Sequence, residues 1–453
     1  MFFGRKKELE AIRSELSGRS SSAIIIYGRR RIGKTSLILE ALKDYEGMKI
    51  VFTASPDEIR ENISALSRLT GEILGETWMN FQEPKDYFQY LAKREEEITL
   101  VIDEYQDFRG RNKNEALLID AVLRDFIDYK NNNIKLIISG SAIRVLENIM
   151  EDNTNPLFMR FTKAINLSEL DYLEASNFYP ESPVMEKIAY YAIFGGLPNI
   201  LSQIDVGKGM EDNIEKLILS QDGIARYYIE SVIDKEISPI NNGEIIIKRI
   251  GNGKKHYSDI ESSIGDERTR KQLSKGLREL AETHLIKKMN PINRQDDKKK
   301  TFYAISCNLL RFYMAYAYGA QMTGSVKAYY KKYIAPSINT FISYRFEDIA
   351  KQYFHLVQRD DIVQIGTYWY DSKETKTNGE FDIALETLDG YEIYEAKYYD
   401  KALKKEVIKE EIDKATRIEG LTISNFGLIS ASGFEDNDIP VKQISGDEIY
   451  NQK

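Results

Sequence analysis

Five residues, AIIIY from Ala23 to Tyr27, run directly into GRRRIGKT, and apolar side chains then recur at Leu37, Ile38 and Leu42. The first stretch reads as a buried strand and the last as a helix opening near Lys34. The loop between them fits G-x-x-x-x-G-K-[ST] through Gly28, Gly33, Lys34 and Thr35. A strand that turns this tightly into a helix belongs to an α/β fold with a parallel sheet.

The residue types give the loop its chemistry. Glycines let the backbone approach a ligand closely, and the amides of the loop and the first helical turn (Arg31, Ile32, Gly33, Lys34, Thr35, Ser36) suit phosphate oxygens. Lys34 is expected to neutralise the β and γ oxygens, and the Thr35 hydroxyl to ligate Mg²⁺. A second strand, Ile98 to Ile102, ends in Asp103-Glu104. Asp103 is expected to hold Mg²⁺ through water, and Glu104 to orient or deprotonate an attacking water. A third, IKLIISGSAI, ends in Ser139-Gly140-Ser141; these serines read either as phosphate sensors or as a turn. Arg160 reads either as a trans-acting or switch arginine that stabilises phosphoryl charge or as a structural residue. The run Arg29, Arg30, Arg31 favours either a nucleotide or a partner.

Five stretches, FFGRKKELE, GRRRIGKTS, LVIDEYQDF, LIISGS and FGGLP, resemble the archaeal-type ATPase family within the AAA+ and STAND branch of P-loop proteins. The resemblance implies ATP as cofactor, a core over residues 1–167 that includes Arg5 and Glu8, and a helical lid over 168–240. Gly196 and Pro198 correspond to the family's lid element, similar in placement to a base or phosphate sensor.

Residues 248–300 hold fifteen Lys and Arg against eight Asp and Glu, a net +7 within a chain of formal charge -8. The order of a short helix, a longer helix and two strand-like runs is a winged-helix pattern, placed at 241–325. On the longer helix Leu273, Leu277 and Leu280 form an apolar face, while Lys271, Lys275 and Arg278 repeat on another. That basic face, with Lys298 and Lys299 on the wing, reads either as a nucleic-acid surface or as a solvated face beside a protein contact.

After Pro336 a helical pattern, an apolar run, GEFDIALETLDGYEIYEAK and a Lys/Glu-rich helix follow. Residues 336–453 resemble the restriction-endonuclease-like fold, whose site is written PD-(D/E)xK. The resemblance implies Asp382 on one strand, Glu395 and Lys397 on the next, and Glu347 as an acid from the first helix. Glu395 and Lys397, two apart, share a strand face, and the Asp389-Gly390 turn pairs their strand with that of Asp382. Asp382 and Glu395 are expected to ligate Mg²⁺ or Mn²⁺, and Lys397 to act beside the attacking water. Lys404, Lys405 and Lys409 read either as DNA contacts or, because Glu406, Glu410 and Glu411 interleave with them, as part of a solvated face, which the interleaving favours.

Composition narrows the alternatives. One cysteine (Cys307) and three histidines exclude an internal disulfide and a Cys/His zinc cluster, so any metal relies on carboxylates. The apolar runs are strand-sized, which points to a cytoplasmic protein without a membrane partner. The reading is an ATP-binding switch coupled to a metal-dependent DNA endonuclease, with DNA, a second copy of the chain on ATP binding and a protein trigger as partner classes. Genome defence or mobile-element biology is the setting that the resemblance implies. The alternatives are an ATP-driven switch or scaffold whose last domain only binds, and an ATP-driven DNA motor.

Overall fold

In the computed structural model the described residues are 2–110, 112–253, 255–372, 377–416 and 423–451. They divide into two compact units, Met1–Glu169 and Leu170–Lys453.

The first unit is built on five parallel strands, β1 (Ser22–Tyr27), β2 (Met48–Thr53), β3 (Ile98–Asp103), β4 (Ile134–Gly140) and β5 (Lys163–Asn166), in the order β2-β3-β4-β1-β5. β1, β3 and β4 are continuous apolar runs because helices cover both faces. Ile24, Ile25 and Ile26 are wholly buried, each worth about 1.5–3 kcal/mol. All five strands point the same way, so the loops after β1, β3 and β4 meet at one edge, where α/β sheets bind ligands.

A buried carboxylate braces this unit. Asp120, on the helix Lys113–Asp128, is wholly buried and accepts from Tyr105 Oη at 2.8 Å, Arg109 Nε at 2.8 Å and Asn155 Nδ2 at 2.9 Å. It thereby ties the segment after β3 to the loop before β5.

The second unit opens with helices, including Val184–Phe194, whose residues from Ile188 onward are all buried. Helices Gly243–Gly251, Tyr257–Ser262 and Glu267–Glu282 follow, then the antiparallel pair β6 (Ile286–Met289) and β7 (Phe302–Ile305). Leu273, Leu277 and Leu280 face inward as their spacing requires, and Leu309, Leu310, Phe312, Tyr313 and Met314 are core.

A mixed sheet closes this unit, in the order β12-β11-β10-β9-β8, from β8 (Ile362–Ser372), β9 (Thr377–Thr387), β10 (Gly390–Lys397), β11 (Ile423–Ser430) and β12 (Lys442–Ser445). The two-residue turn Leu388-Asp389 joins the antiparallel β9 and β10, and β11 and β12 run parallel to β10. Alternation sorts the sheet's residues: Ile383, Tyr394, Ala396 and Ile429 join the core of the helix Ile338–Val357, and Leu428 joins Ile408 of the helix Lys405–Thr416.

β8 is an edge strand, and the segment between β6 and β7 lies along it. The Ile292 amide donates to the Thr367 carbonyl at 2.8 Å; Asn293 accepts from the Trp369 amide at 3.0 Å and donates to its carbonyl at 2.8 Å. Lys300 Nζ stands 3.4 Å from the centre of the Trp369 ring. Among the described residues no helix is long and apolar enough to cross a membrane.

Asp120→Ala leaves buried groups on Arg109, Tyr105 and Asn155 without their acceptor, so denaturant unfolding is expected to show a loss of about 3–5 kcal/mol. A loss below about 1 kcal/mol refutes the bracing role.

Candidate functional site

The first constellation lies at the carboxyl edge of the parallel sheet. Gly28 has no room for a side chain, since a Cβ would stand 2.3 Å from the Leu167 carbonyl oxygen. Gly33 turns the loop into its helix at φ 98, and Arg31 is left-handed at φ 62. Ile32 is buried and anchors the loop through its side chain. Its carbonyl accepts from Arg5 Nη2 at 3.4 Å, and Arg5 also reaches the Ser168 carbonyl and lies 3.6 Å from Glu8. Arg5 therefore staples the loop to the segment leaving the sheet. Lys34 is buried and donates to the carbonyls of Gly28 at 2.9 Å and Arg29 at 3.0 Å, which holds its ammonium inside the loop where phosphates would lie. Ser36 is exposed on the first helical turn.

Asp103 is the hub. Its Oδ2 accepts from the Thr35 hydroxyl at 2.5 Å; its Oδ1 accepts from Ser139 Oγ at 2.5 Å and from the Glu104 amide at 3.0 Å. Thr35 and Asp103, two hard oxygen donors in contact, fit Mg²⁺ with its retained waters. Ser139, wholly buried, donates its hydroxyl to Asp103 and so orients that carboxylate. Glu104 is left-handed at φ 54, a strain found at functional sites. Its Oε2 accepts from Ser141 Oγ at 2.7 Å, the Ser141 amide at 3.2 Å and Gln106 Nε2. Gln106 escaped the sequence reading, although it follows Glu104 by two. Burial and the Glu104 charge raise the Asp107 carboxyl, and the Arg30 charge opposes them.

Arg160 pairs with Asp128 at 3.0 Å, and the Thr162 amide two residues on donates to the Ala23 carbonyl. The chain has by then returned to the start of β1 to lay β5 parallel, so Arg160 sits at the opposite end of the sheet from Gly28; this placement corrects the switch role within its own chain and agrees with the structural reading, while the trans-acting role concerns another copy's phosphates.

Gly196 and Pro198 lie in the second unit. A Cβ on Gly196 would stand 2.0 Å from the Leu170 carbonyl oxygen, and Pro198 opens a short helix. Close backbone packing accounts for the glycine.

The second constellation lies on the mixed sheet. β9 and β10 pair as far as Ile383 and Tyr394; Asp382 and Glu395 are the next residue on each strand, and the Asp382 charge acts on Glu395. Lys397 Nζ lies 3.3 Å from Glu395 and 3.3 Å from Glu411. Glu411 is a second correction: it is 9% exposed and also takes Lys414 at 2.9 Å. The Lys/Glu alternation of its helix concealed that it turns inward. Ser430 pairs in register with Lys397 on the face of Glu395, and its hydroxyl is buried without a partner.

Burial dominates the electrostatics here. It pushes Glu347 up to about 8, with the Asp382 charge adding and Lys351 and Lys255 opposing. It pushes Glu395 up to about 7, with Asp382 adding and Lys397 opposing. Asp382 is raised by burial, against the pull of Lys351, Lys397 and Lys255. Asp382 and Glu395 fit a hard divalent cation that keeps several waters. Among the described residues no group of three or more His, Cys, Asp or Glu side chains could hold a metal ion.

The expected basic face of Glu267–Glu282 is neutralised within the helix. Lys271 pairs with Glu267 at 2.9 Å, Lys275 with Glu279 at 3.9 Å and Arg278 with Glu282 at 3.8 Å. Lys298 and Lys299 are exposed in a turn where Asp297 accepts the Lys299 amide.

Residues 2–204 match the model of an ATPase domain predominantly from Archaea, and residues 311–411 match a family of archaeal and bacterial proteins of unknown function. An uncharacterized protein of Methanocaldococcus jannaschii is 24% identical over 379 residues, 83% of each chain. An uncharacterized ATP-binding protein of the same organism is 46% identical over 44 residues, 10% of this chain and 75% of its own. Among solved structures, a Walker-type ATPase of Pyrococcus abyssi aligns at TM-score 0.46 and 20% identity, covering 69% of this chain and 96% of its own. The ORC2 protein of Aeropyrum pernix, in ADPNP and ADP complexes, aligns at TM-score 0.44 and 17% identity, covering 69% and 92%.

Glu347 titrates at about 8 when folded against an ordinary 4.5. The folded state therefore holds the extra proton, and the stability present at low pH is lost as pH rises through about 8. Thermal melts in EDTA are expected to fall between about pH 5 and pH 8.5, and Glu347→Gln to flatten that fall. An identical slope in wild type and Glu347→Gln refutes the buried acid.

Proposed function

We propose, from the premise that residues 2–204 are an archaeal-type P-loop ATPase domain, that the chain is an ATP-controlled, metal-dependent DNA nuclease. Residues 168–240 act as the lid, 241–325 as a winged helix and 336–453 as the PD-(D/E)xK domain. The observation that carries the reading is the nearness of Asp382 and Glu395, the next residue on β9 and β10 beyond their last pair, with Lys397 3.3 Å from Glu395 and burial raising both carboxyls. Neighbouring buried acids are costly without a cation.

In the ATPase domain Lys34 and the loop amides bind phosphates, Thr35 and Asp103 would hold Mg²⁺, and Glu104 takes the proton of the attacking water. In the nuclease domain Asp382 and Glu395 would hold Mg²⁺ or Mn²⁺, which when bound lowers the pKa of a water and offsets charge on the phosphodiester. Lys397 keeps its ammonium beside that water and stabilises the developing anion. Self-association on ATP binding and a protein trigger would set when cutting occurs.

A second reading, a switch whose last domain binds without cutting, draws on the paired cations of Glu267–Glu282.

Supercoiled plasmid incubated with Mg²⁺ or Mn²⁺, with and without ATP, separates the two. Nicking that falls at least about a hundredfold in Asp382→Ala and responds to ATP in wild type but not in Lys34→Ala is the expected result. ATP hydrolysis that Glu104→Gln abolishes, with no nicking in any condition, overturns the nuclease and favours the switch.

A further inference from the structure

We propose that Lys255, Lys351 and Tyr344 form a cradle for a single strand of nucleic acid beside the carboxylates of the mixed sheet, the two ammonium groups taking a backbone phosphate and the tyrosine ring an unpaired base. The inference rests on reading residues 336–453 as a nuclease, and it names that site's substrate class.

Tyr344, Glu347 and Lys351 follow one another at i, i+3 and i+7 on the helix Ile338–Val357, so they form one stripe. Tyr344 is 50% exposed, an unusual outlay of apolar surface in a stripe that otherwise carries charge. Lys255 comes from a different part of the unit. Its carbonyl accepts the Tyr303 amide at 2.8 Å, and the next residue, His256, bridges Phe302 of β7. Its Nζ reaches across to stand 5.4 Å from the centre of the Tyr344 ring. Lys351 stands four residues on from Glu347 in the same stripe, and Lys255 reaches that stripe at Tyr344.

Neither lysine makes an ion pair within 4 Å among the described residues, whereas Lys271, Lys275 and Arg278 each do. A divalent cation on Asp382 and Glu395 would satisfy the acids and leave the two ammonium groups for a phosphate.

The aromatic ring selects the strand form. An exposed ring next to cations stacks on a base that is free of its complement, and stacking of this kind is tolerant of sequence. A duplex can use the lysines but not the ring.

The test is fluorescence anisotropy with a short fluorescein-labelled single-stranded DNA and its duplex, in Ca²⁺, on the full chain. Lys255→Glu is expected to weaken single-strand binding by about tenfold or more and Tyr344→Ala by at least about fivefold. Lys255→Arg and Tyr344→Phe should bind as wild type does, and Tyr344→Ala should leave duplex binding unchanged. Single-strand affinity unaltered in both Lys255→Glu and Tyr344→Ala, or wild type that binds neither DNA, overturns the cradle. Cutting measured in parallel separates the two readings. Nicking that depends on Asp382, with affinity indifferent to Lys255 and Tyr344, removes the cradle alone; affinity that depends on them, without cutting, removes the nuclease and keeps the cradle.

Discussion

One carboxylate organises the edge of the parallel sheet. Asp103 accepts from a residue of the phosphate loop, from the end of the neighbouring strand and from the amide of Glu104, so three loops that are distant in sequence are set by one group. The sheet makes this possible: β3 and β4 run in the same direction, with Ile102 beside Ile138, which brings Asp103 level with Ser139. The remaining parts follow from that alignment. Lys34 folds back over the loop, Arg5 fastens the loop's far side, and Glu104 is held by Ser141 and Gln106.

The mixed sheet is governed by the opposite circumstance, an excess of buried negative charge. Glu347, Asp382 and Glu395 are each pushed toward the protonated form by burial, and only lysines answer them. Such an arrangement resists full ionisation unless a cation arrives. Lys397 is divided between Glu395 and Glu411, which fixes its stem and keeps its charge within the cluster.

The legible parts were those where spacing dictates geometry. The phosphate loop could be read because Gly28, Gly33, Lys34 and Thr35 must stand at set intervals, and Asp103 because an apolar strand ends on it. That Asp382 falls on one strand and Glu395 and Lys397 on the next was legible through the two-residue period of strands, although the turn between them is Leu388-Asp389, one residue earlier than the expected Asp389-Gly390. The distance of Arg160 from the phosphate loop of its own chain was not legible, because linear order says nothing of the return path that carries it to the far end of the sheet. Glu411 was misjudged because alternating charge on a helix looks solvated whichever way one member turns. The importance of Lys255 is a matter of tertiary contact alone, since nearly ninety positions separate it from Tyr344 and no local pattern joins them.

The Asn293 side chain imitates a strand. Its amide group takes both backbone groups of Trp369, so the open margin of the mixed sheet is closed by a residue from an earlier segment of the chain. An uncovered margin of that kind invites pairing with other chains. The shield for the last hundred residues is therefore encoded seventy positions upstream of the strand it protects, which ties the two segments into one heritable piece: a gene fusion or recombination event between them would deliver a sheet prone to aggregate, whatever its active residues.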